Sequence, residues 1–384
     1  MKKAFLILCM ALGTLCVLAN TTVDEHDDHV VINTATLNPG GEEVEVTVSL
    51  EGSRQYTSYQ MDITLPEGWT IFQEEYEEDD QIMYEYAVYM SYDNSFYPSS
   101  GSGKNRQYKH SFSFSYGVVG DRVLRIACVP TSTSSFKANS GDLFTMTLVA
   151  SPYAKPGNPS IQLTGVAFGT IIEGTTTAYY FDDAVSNDIT VSTSATAPLV
   201  VGSALWSTCV LPFDATIPAG VTAYSCDRVE ENTLYLVEAP SFTAYTPYIL
   251  HADAAVNTSI SGTVDPSGYP VTGYVSDAAN LLQGAILPQS ITAGYVLQKD
   301  PAESEPKFYD VNGVTFSIPE GKCWLTLPSG NSAPAIQMVI GDATSLKNLD
   351  KMSNGQIYNV LGMPVSHPLS GQVYIQNGQK FIQK

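Results

Sequence analysis

The feature that most constrains this chain is a two-residue period in hydrophobicity that recurs along its length. Val44, Val46, Val48 and Leu50 alternate with Glu43, Glu45, Thr47 and Ser49, which gives a strand one buried and one wetted face. The same period runs through Tyr59 to Leu65, His110 to Tyr116 and Leu143 to Leu148. Turn formers stand between these runs: Asn38-Pro39-Gly40-Gly41, Pro66-Glu67-Gly68 and Lys155-Pro156-Gly157-Asn158. Trp69, directly after the second of these turns, is expected to cap a core. Outside residues 1–19 no long stretch keeps a 3.6-residue period, and Asn280 to Ala285 admits a single helical turn at most. The expected fold class is therefore all-β, with sheets packed on sheets.

Lys2 and Lys3, the apolar run Ala4 to Leu18 and the small residues Val17 and Ala19 read as a signal peptide over residues 1–19, cleaved before Asn20. A lipoprotein reading through Cys16 fails because Leu15 is not small. No other run is long enough for a spanning helix, so no membrane insertion of the mature chain is expected. Losing Lys2 and Lys3 takes 18 basic residues to 16 against 39 acidic ones, a formal charge of −23. Such a surface repels phosphate, which excludes nucleic acid as a partner class. Cys9 and Cys16 leave with the signal. The remaining Cys128, Cys209, Cys226 and Cys323 show no CxxC spacing, which excludes a zinc ribbon. An exported chain can keep one disulfide among Cys209, Cys226 and Cys323, with Cys128 a buried thiol in its own domain.

The first β unit is read over residues 23–191 and a Ser/Thr/Ala-rich linker over 192–199. A second β unit follows over 200–342, then a polar linker over 343–355 and a short tail over 356–384 built as a β-hairpin. The first unit resembles a cohesin-like domain of the cohesin and carbohydrate-binding-module superfamily. Leu37 to Val48, Tyr59 to Pro66, Leu143 to Val149 and Ile161 to Val166 carry that resemblance. It implies a jelly-roll β-sandwich, and members bind dockerin modules or polysaccharide. No dockerin-type calcium loop occurs here. The second unit, through Trp206 to Phe213, Gly220 to Tyr224, Thr246 to Leu250 and Ile318 to Lys322, resembles β modules common in exported proteins of gut-type Gram-negative bacteria. A sandwich or a barrel-like module is expected. The tail resembles a type IX secretion sorting domain, with Gly362, Pro368, Gly371, Tyr374, Gly378 and Lys380 in the family's order. Gln372 intervenes where the family has an apolar-Tyr pair directly after the glycine. The resemblance implies the type IX machinery as a partner and a cell-surface or extracellular address, with the periplasm as the alternative.

Motifs for chemistry are absent: there is no HExxH, no Walker loop and no GxSxG elbow. His26-Asp27-Asp28-His29 has metal-ligand residue types at close spacing but adjoins the cleavage site, and Asp182, Asp183, Asn187 and Asp188 read as a solvated turn. No metal and no cofactor are expected. A two-carboxylate glycoside hydrolase would need a carboxylate in an apolar setting, and none stands out. The chain is expected not to be an enzyme. The stretch that differs from ordinary sandwich sequence is Glu74 to Tyr97. Glu74-Glu75-Tyr76-Glu77-Glu78-Asp79-Asp80 is strongly acidic and is followed by Tyr84, Tyr86, Tyr89, Tyr92 and Tyr97. Aromatic faces with carboxylates suit either sugar rings or a protein surface. The expected function is a non-catalytic surface or secreted binding protein, acting in adhesion or scaffolding through the cohesin-like unit, with these tyrosines as ligand contacts. The alternative partner is an extracellular glycan.

Overall fold

The computed structural model describes residues 20–23, 28–78, 81–172, 175–276, 281–303, 305–327, 333–340, 357–359, 364–365, 373–376 and 379–382. Every regular element among them is a strand, apart from two single 3-10 turns at Gly103–Asn105 and Pro266–Gly268. The protein is all-β. No helix among the described residues is long and apolar enough to cross a membrane. The chain forms two compact units. One holds the described residues up to Leu199 together with Pro212–Ala215 and Thr258–Pro270, and the other holds the rest.

The first unit is a two-sheet sandwich of seven and five strands. Alternation decides which side of each strand goes inward: Val46, Val48 and Leu50 are buried from one strand, and Tyr59, Met61 and Ile63 from another. The Ser58–Thr64 strand lies between Val123–Pro130 and Ile161–Ile172, and the Val44–Glu51 strand lies between His29–Ile32 and Gly141–Ala150. Both sheets feed one core, where the rings of Tyr59 and Phe144 stack 6.5 Å apart across the sandwich. Phe136 is sandwiched in that core between Phe96 at 4.7 Å and His110 at 4.6 Å. Trp69 is buried in the same core, as its position after a turn predicts.

One break in the alternation organises the inside of the sandwich. Leu143 and Phe144 are adjacent and both buried, because a bulge between Asp142 and Phe144 shifts the register against Val44–Glu51. The shift leaves the Leu143 carbonyl without a ladder partner on that strand. It accepts instead from the Ser91 N–H at 3.1 Å, the Tyr97 hydroxyl at 2.6 Å and the Tyr59 hydroxyl at 3.1 Å. The two phenol oxygens are also 2.9 Å apart. Burial, with Cys128 nearby, holds both phenols well above their ordinary pKa, so both stay protonated.

The turn at Asn38-Pro39-Gly40-Gly41 closes this unit beside the Ser194–Val201 strand. Gly40 takes a left-handed φ of 66°, and a Cβ there would fall on the Thr196 carbonyl oxygen. The Ser/Thr/Ala-rich segment read as a linker is thus strand, with Ala195, Ala197 and Leu199 buried from alternate positions. Small residues suffice there because residues 258–270 pack close by. Thr196 Oγ1 lies 2.9 Å from Ser261 Oγ, the Val264 N–H donates to the Thr193 carbonyl, and the Tyr269 hydroxyl donates to the Tyr153 carbonyl at 2.8 Å. Phe213 is fully buried against Gly262, where no side chain would fit.

The second unit is built on a ten-stranded, mostly antiparallel sheet that runs from Trp206–Cys209 to Tyr274–Ser276. Thr233–Glu238 and Ala335–Ile340 supply its one parallel pair. The sheet curls until its first strand meets the Cys323–Leu325 strand. The Val210 N–H donates to the Gly321 carbonyl at 3.1 Å, and the Cys323 N–H donates to Thr208 Oγ1 at 2.9 Å. This contact is the barrel-like closure, and it removes an open edge. The segment that admitted a helical turn is instead the strand Leu282–Ala285, paired with Cys323–Leu325. Gly284 lets it lie against Val210, where a Cβ would come within 2.9 Å.

Cys128, Cys209, Cys226 and Cys323 are all buried thiols outside any disulfide, so the disulfide expected among the last three is not formed. Burial pushes the Cys128 and Cys209 thiols up to about 12 and those of Cys226 and Cys323 higher still. Each packs as a small apolar side chain. The tail is a four-stranded antiparallel sheet in the order Pro364–Val365, Ile357–Asn359, Val373–Gln376, Gln379–Ile382, which is more than a hairpin.

The tyrosine pair at Leu143 gives a measurable expectation. Tyr97→Phe should lower the unfolding free energy by about 1–2 kcal/mol, because a buried carbonyl and a buried phenol each lose a partner. Urea titration of the full chain should show an earlier midpoint at unchanged slope. An unmoved midpoint would mean that the hydroxyl does not contribute.

Candidate functional site

The acidic, tyrosine-rich stretch forms an excursion from a sheet edge. Trp69–Ile71 and Val88–Met90 pair with successive parts of Gly141–Ala150, Ile71 opposite Leu148 and Val88 opposite Met146. They act as one edge strand with residues 72–87 interposed. The two ends meet at Thr147, whose carbonyl accepts from the Phe72 N–H and whose N–H donates to the Ala87 carbonyl. The interposed residues run out and back as an antiparallel ribbon of Gln73–Glu78 against Gln81–Tyr86.

Opposed residues in such a ladder share a face. Gln73/Tyr86, Glu75/Tyr84 and Glu77/Ile82 make one face, and Glu74/Glu85, Tyr76/Met83 and Glu78/Gln81 make the other. All of these are exposed except Tyr86, which is half-buried. Ile82 is 61% and Tyr84 60% exposed, with Tyr76 and Met83 near 40%. A two-stranded ribbon that packs neither face is marginal on its own, so this one depends on its base. There Tyr86 meets Tyr116 edge-on at 5.1 Å, and the Tyr89 hydroxyl donates to Glu74 at 2.6 Å. The Tyr84 hydroxyl donates to Glu75 at 3.2 Å.

The five tyrosines singled out in sequence are not one site. Tyr84, Tyr86 and Tyr89 belong to the ribbon and its base. Tyr92 is 63% exposed and rests against Tyr108, with ring centroids 5.2 Å apart; Tyr108 donates its hydroxyl to the Tyr92 carbonyl. Tyr97 is fully buried and serves the core. A turn at Asp93, whose carboxylate accepts from the Ser95 N–H while its carbonyl accepts from the Tyr97 N–H, swings Phe96 and Tyr97 inward. Ile82 and Met83, absent from the residues singled out in sequence, lie between an acidic run and a series of tyrosines that mask them as apolar positions. Ile82, Tyr84 and Tyr86 keep the two-residue period, and that signal marks an apolar ribbon face.

The other candidates are absorbed by structure. The buried Asp28 carboxylate accepts from the Ser53 N–H at 2.6 Å, the Ser53 hydroxyl at 2.9 Å and the Tyr56 hydroxyl at 2.7 Å. Burial raises its pKa, but these bonds outweigh it and leave the carboxyl below its ordinary value. His29 sits 3.4 Å from Glu51, while His26 and Asp27 lie outside the described residues. Asp183 accepts from the Gly165 N–H and Asp188 from Ser186, and no group of three or more metal-ligating side chains gathers among the described residues. In the tail, Tyr374 is buried opposite Phe381 and Lys380 lies opposite Ile375. Gly362, Pro368, Gly371 and Gly378 lie outside the described residues.

No family model matches the sequence, and no curated protein matches it. Similar solved structures include a non-cellulosomal cohesin from the hyperthermophilic archaeon Archaeoglobus fulgidus, 13% identical, covering 43% of this chain and 90% of that one with a TM-score of 0.26. The seventh ScaB type I cohesin from Pseudobacteroides cellulosolvens is 16% identical, covering 45% and 95% with a TM-score of 0.26. Domains D2 and D3 of the major pilin SpaD from Corynebacterium diphtheriae are 10% identical, covering 66% and 87%, also with a TM-score of 0.26. At such scores the functional reading rests on this chain's own geometry.

The Tyr89–Glu74 bond predicts a titration. The hydrogen bond to Glu74, with partial burial and the carboxylate charge behind it, pushes the Tyr89 phenol up to about 12. Glu74→Gln should bring it down toward the ordinary value of about 10, read by NMR of the ring carbon bearing the hydroxyl. A phenol that already titrates near 10 in the native chain would contradict the bond.

Proposed function

We propose that this chain is a non-catalytic, exported binding protein whose first unit docks a basic protein segment on the ribbon of residues 73–86. The observation that carries the reading is a ribbon that holds Tyr76, Ile82, Met83 and Tyr84 in water among five glutamates. Exposed apolar side chains on a projecting element are costly unless something covers them. Carboxylates on both faces select a partner rich in Lys and Arg, and the ribbon's outer edges offer backbone groups for strand addition. The state of the thiols and of the core histidine supports the non-catalytic reading. Burial keeps the four thiols protonated, and burial lowers the pKa of His110, whose Nε2 lies 3.0 Å from the Thr57 carbonyl in the core. Export through residues 1–19, cohesin-like adhesion or scaffolding, and outward sorting by the type IX machinery through the tail belong to the same proposal.

A specific observation favours a second reading, glycan capture: the exposed Tyr92 resting on Tyr108 offers an aromatic platform of the kind sugars stack on. One experiment separates the two. Full-length mature chain is presented with an array of Lys/Arg-rich strand-forming peptides and with a panel of neutral polysaccharides, at about 0.15 M ionic strength. Peptide binding is expected to fall about tenfold or more in Ile82→Ser plus Tyr84→Ala, while stability changes by less than about 0.5 kcal/mol because both sites are exposed. Polysaccharide binding abolished by Tyr92→Ala would replace the protein reading with the glycan one. Peptide binding indifferent to the ribbon variants would overturn the proposal.

A further inference from the structure

A recess of about 240 Å³ opens in the second unit, at the seam where the curled sheet closes. The first strand contributes Trp206 and Ser207 to it, and Phe316, Pro319 and Lys322 come from the chain that leads into the Cys323–Leu325 strand. Lys299 stands exposed at its margin. In a chain with 39 acidic and 18 basic residues, this lining contains two lysines and no carboxylate. Glu303, close by in sequence, is already paired with Lys307 at 2.6 Å.

Lys322 is the feature that asks for a ligand. It is half-buried, and its ammonium donates to Ser207 Oγ at 2.9 Å and to the Thr208 carbonyl at 3.3 Å. Both acceptors are neutral. An ammonium has three protons to donate, so one donor and the whole countercharge are left for an occupant. Those two bonds also hold the long side chain in place before anything binds, which reduces the ordering cost of recognition. Trp206, whose ring also packs 4.5 Å from that of His251, lines the recess with Phe316 and Pro319 as apolar residues and with Ser207 and Gln298 as polar ones. Flat apolar walls suit the C–H face of a pyranose ring, polar groups suit its hydroxyls, and paired ammoniums suit a carboxylate.

We propose that this recess binds a single uronic-acid residue, with its ring against Trp206 and Phe316 and its carboxylate on Lys322, supported by Lys299. The site is separate from the ribbon of the first unit and stands or falls independently of it. Trp206 is a convenient reporter, because the other two tryptophans, Trp69 and Trp324, are buried. Full-length mature chain is titrated with glucuronate, galacturonate, glucose and benzoate, followed by tryptophan fluorescence and by calorimetry. Saturable binding of a uronate is expected, about tenfold or more tighter than glucose, since a charge-assisted hydrogen bond is lost with the neutral sugar. Lys322→Met should abolish it. Lys299→Glu, at an exposed position where the fold is not at risk, should weaken it several-fold, and neither Ile82→Ser nor Tyr84→Ala should alter it. Glucose bound as well as glucuronate, benzoate bound more tightly than either uronate, no uronate binding at all, or a Lys299→Glu chain with unchanged affinity would each overturn the assignment.

Discussion

The carbonyl of Leu143 is the group on which the first unit turns. A bulge at that residue takes it out of the sheet ladder, and a buried backbone oxygen without a partner would cost about 1–3 kcal/mol. The sandwich answers with two tyrosine hydroxyls and the Ser91 N–H. Tyr59 comes from the opposite sheet and Tyr97 from the loop after the edge strand, so the same oxygen ties three parts of the unit together. The aromatic stack of Phe96, Phe136 and His110 assembles around that point.

The ribbon follows from the same strand. Gly141–Ala150 needs a neighbour on its free side, and two short segments provide it in turn, three residues before the ribbon and three after. Because pairing resumes in line, residues 72–87 can leave the sheet without breaking it. The ribbon thereby blunts an edge that would otherwise invite pairing with other chains. Glu74 lies directly opposite Glu85, a repulsive pair in the ladder. That repulsion sits one pair above the base, where the Tyr89 hydroxyl bonded to Glu74 and the contact of Tyr86 with Tyr116 hold the ribbon in place.

In the second unit, closure does the equivalent work. Bringing Trp206–Cys209 against Cys323–Leu325 supplies partners for an edge strand, and it also places Lys322 beside Ser207 across a separation of 115 residues. A cation placed at a seam among neutral acceptors is a local exception in a strongly acidic chain.

Much of this was legible in the sequence. Period-two alternation at Val44 to Leu50 and Tyr59 to Leu65 determined the strands and their inward faces, because a strand's side chains can point only two ways. The clustered acids and tyrosines after Phe72 marked the stretch that became the ribbon. Other features depended on contacts between residues far apart in the chain, which local pattern does not encode. Tyr92 and Tyr97 look alike in sequence, yet the Asp93 turn leaves one in water and buries the other on Leu143. The segment at 192–199 has a linker's composition, yet from Ser194 onward it is strand, packed beside residues 258–270. Cys209 and Cys323 belong to segments that meet at the seam, yet they remain free thiols in a packed interior. The sequence by itself determined that this chain is all-β and where its unusual surface lies; tertiary structure decided which tyrosines reach solvent and which lysine stands among neutral acceptors at the seam, because burial and charge environment are set by neighbours that only folding brings together.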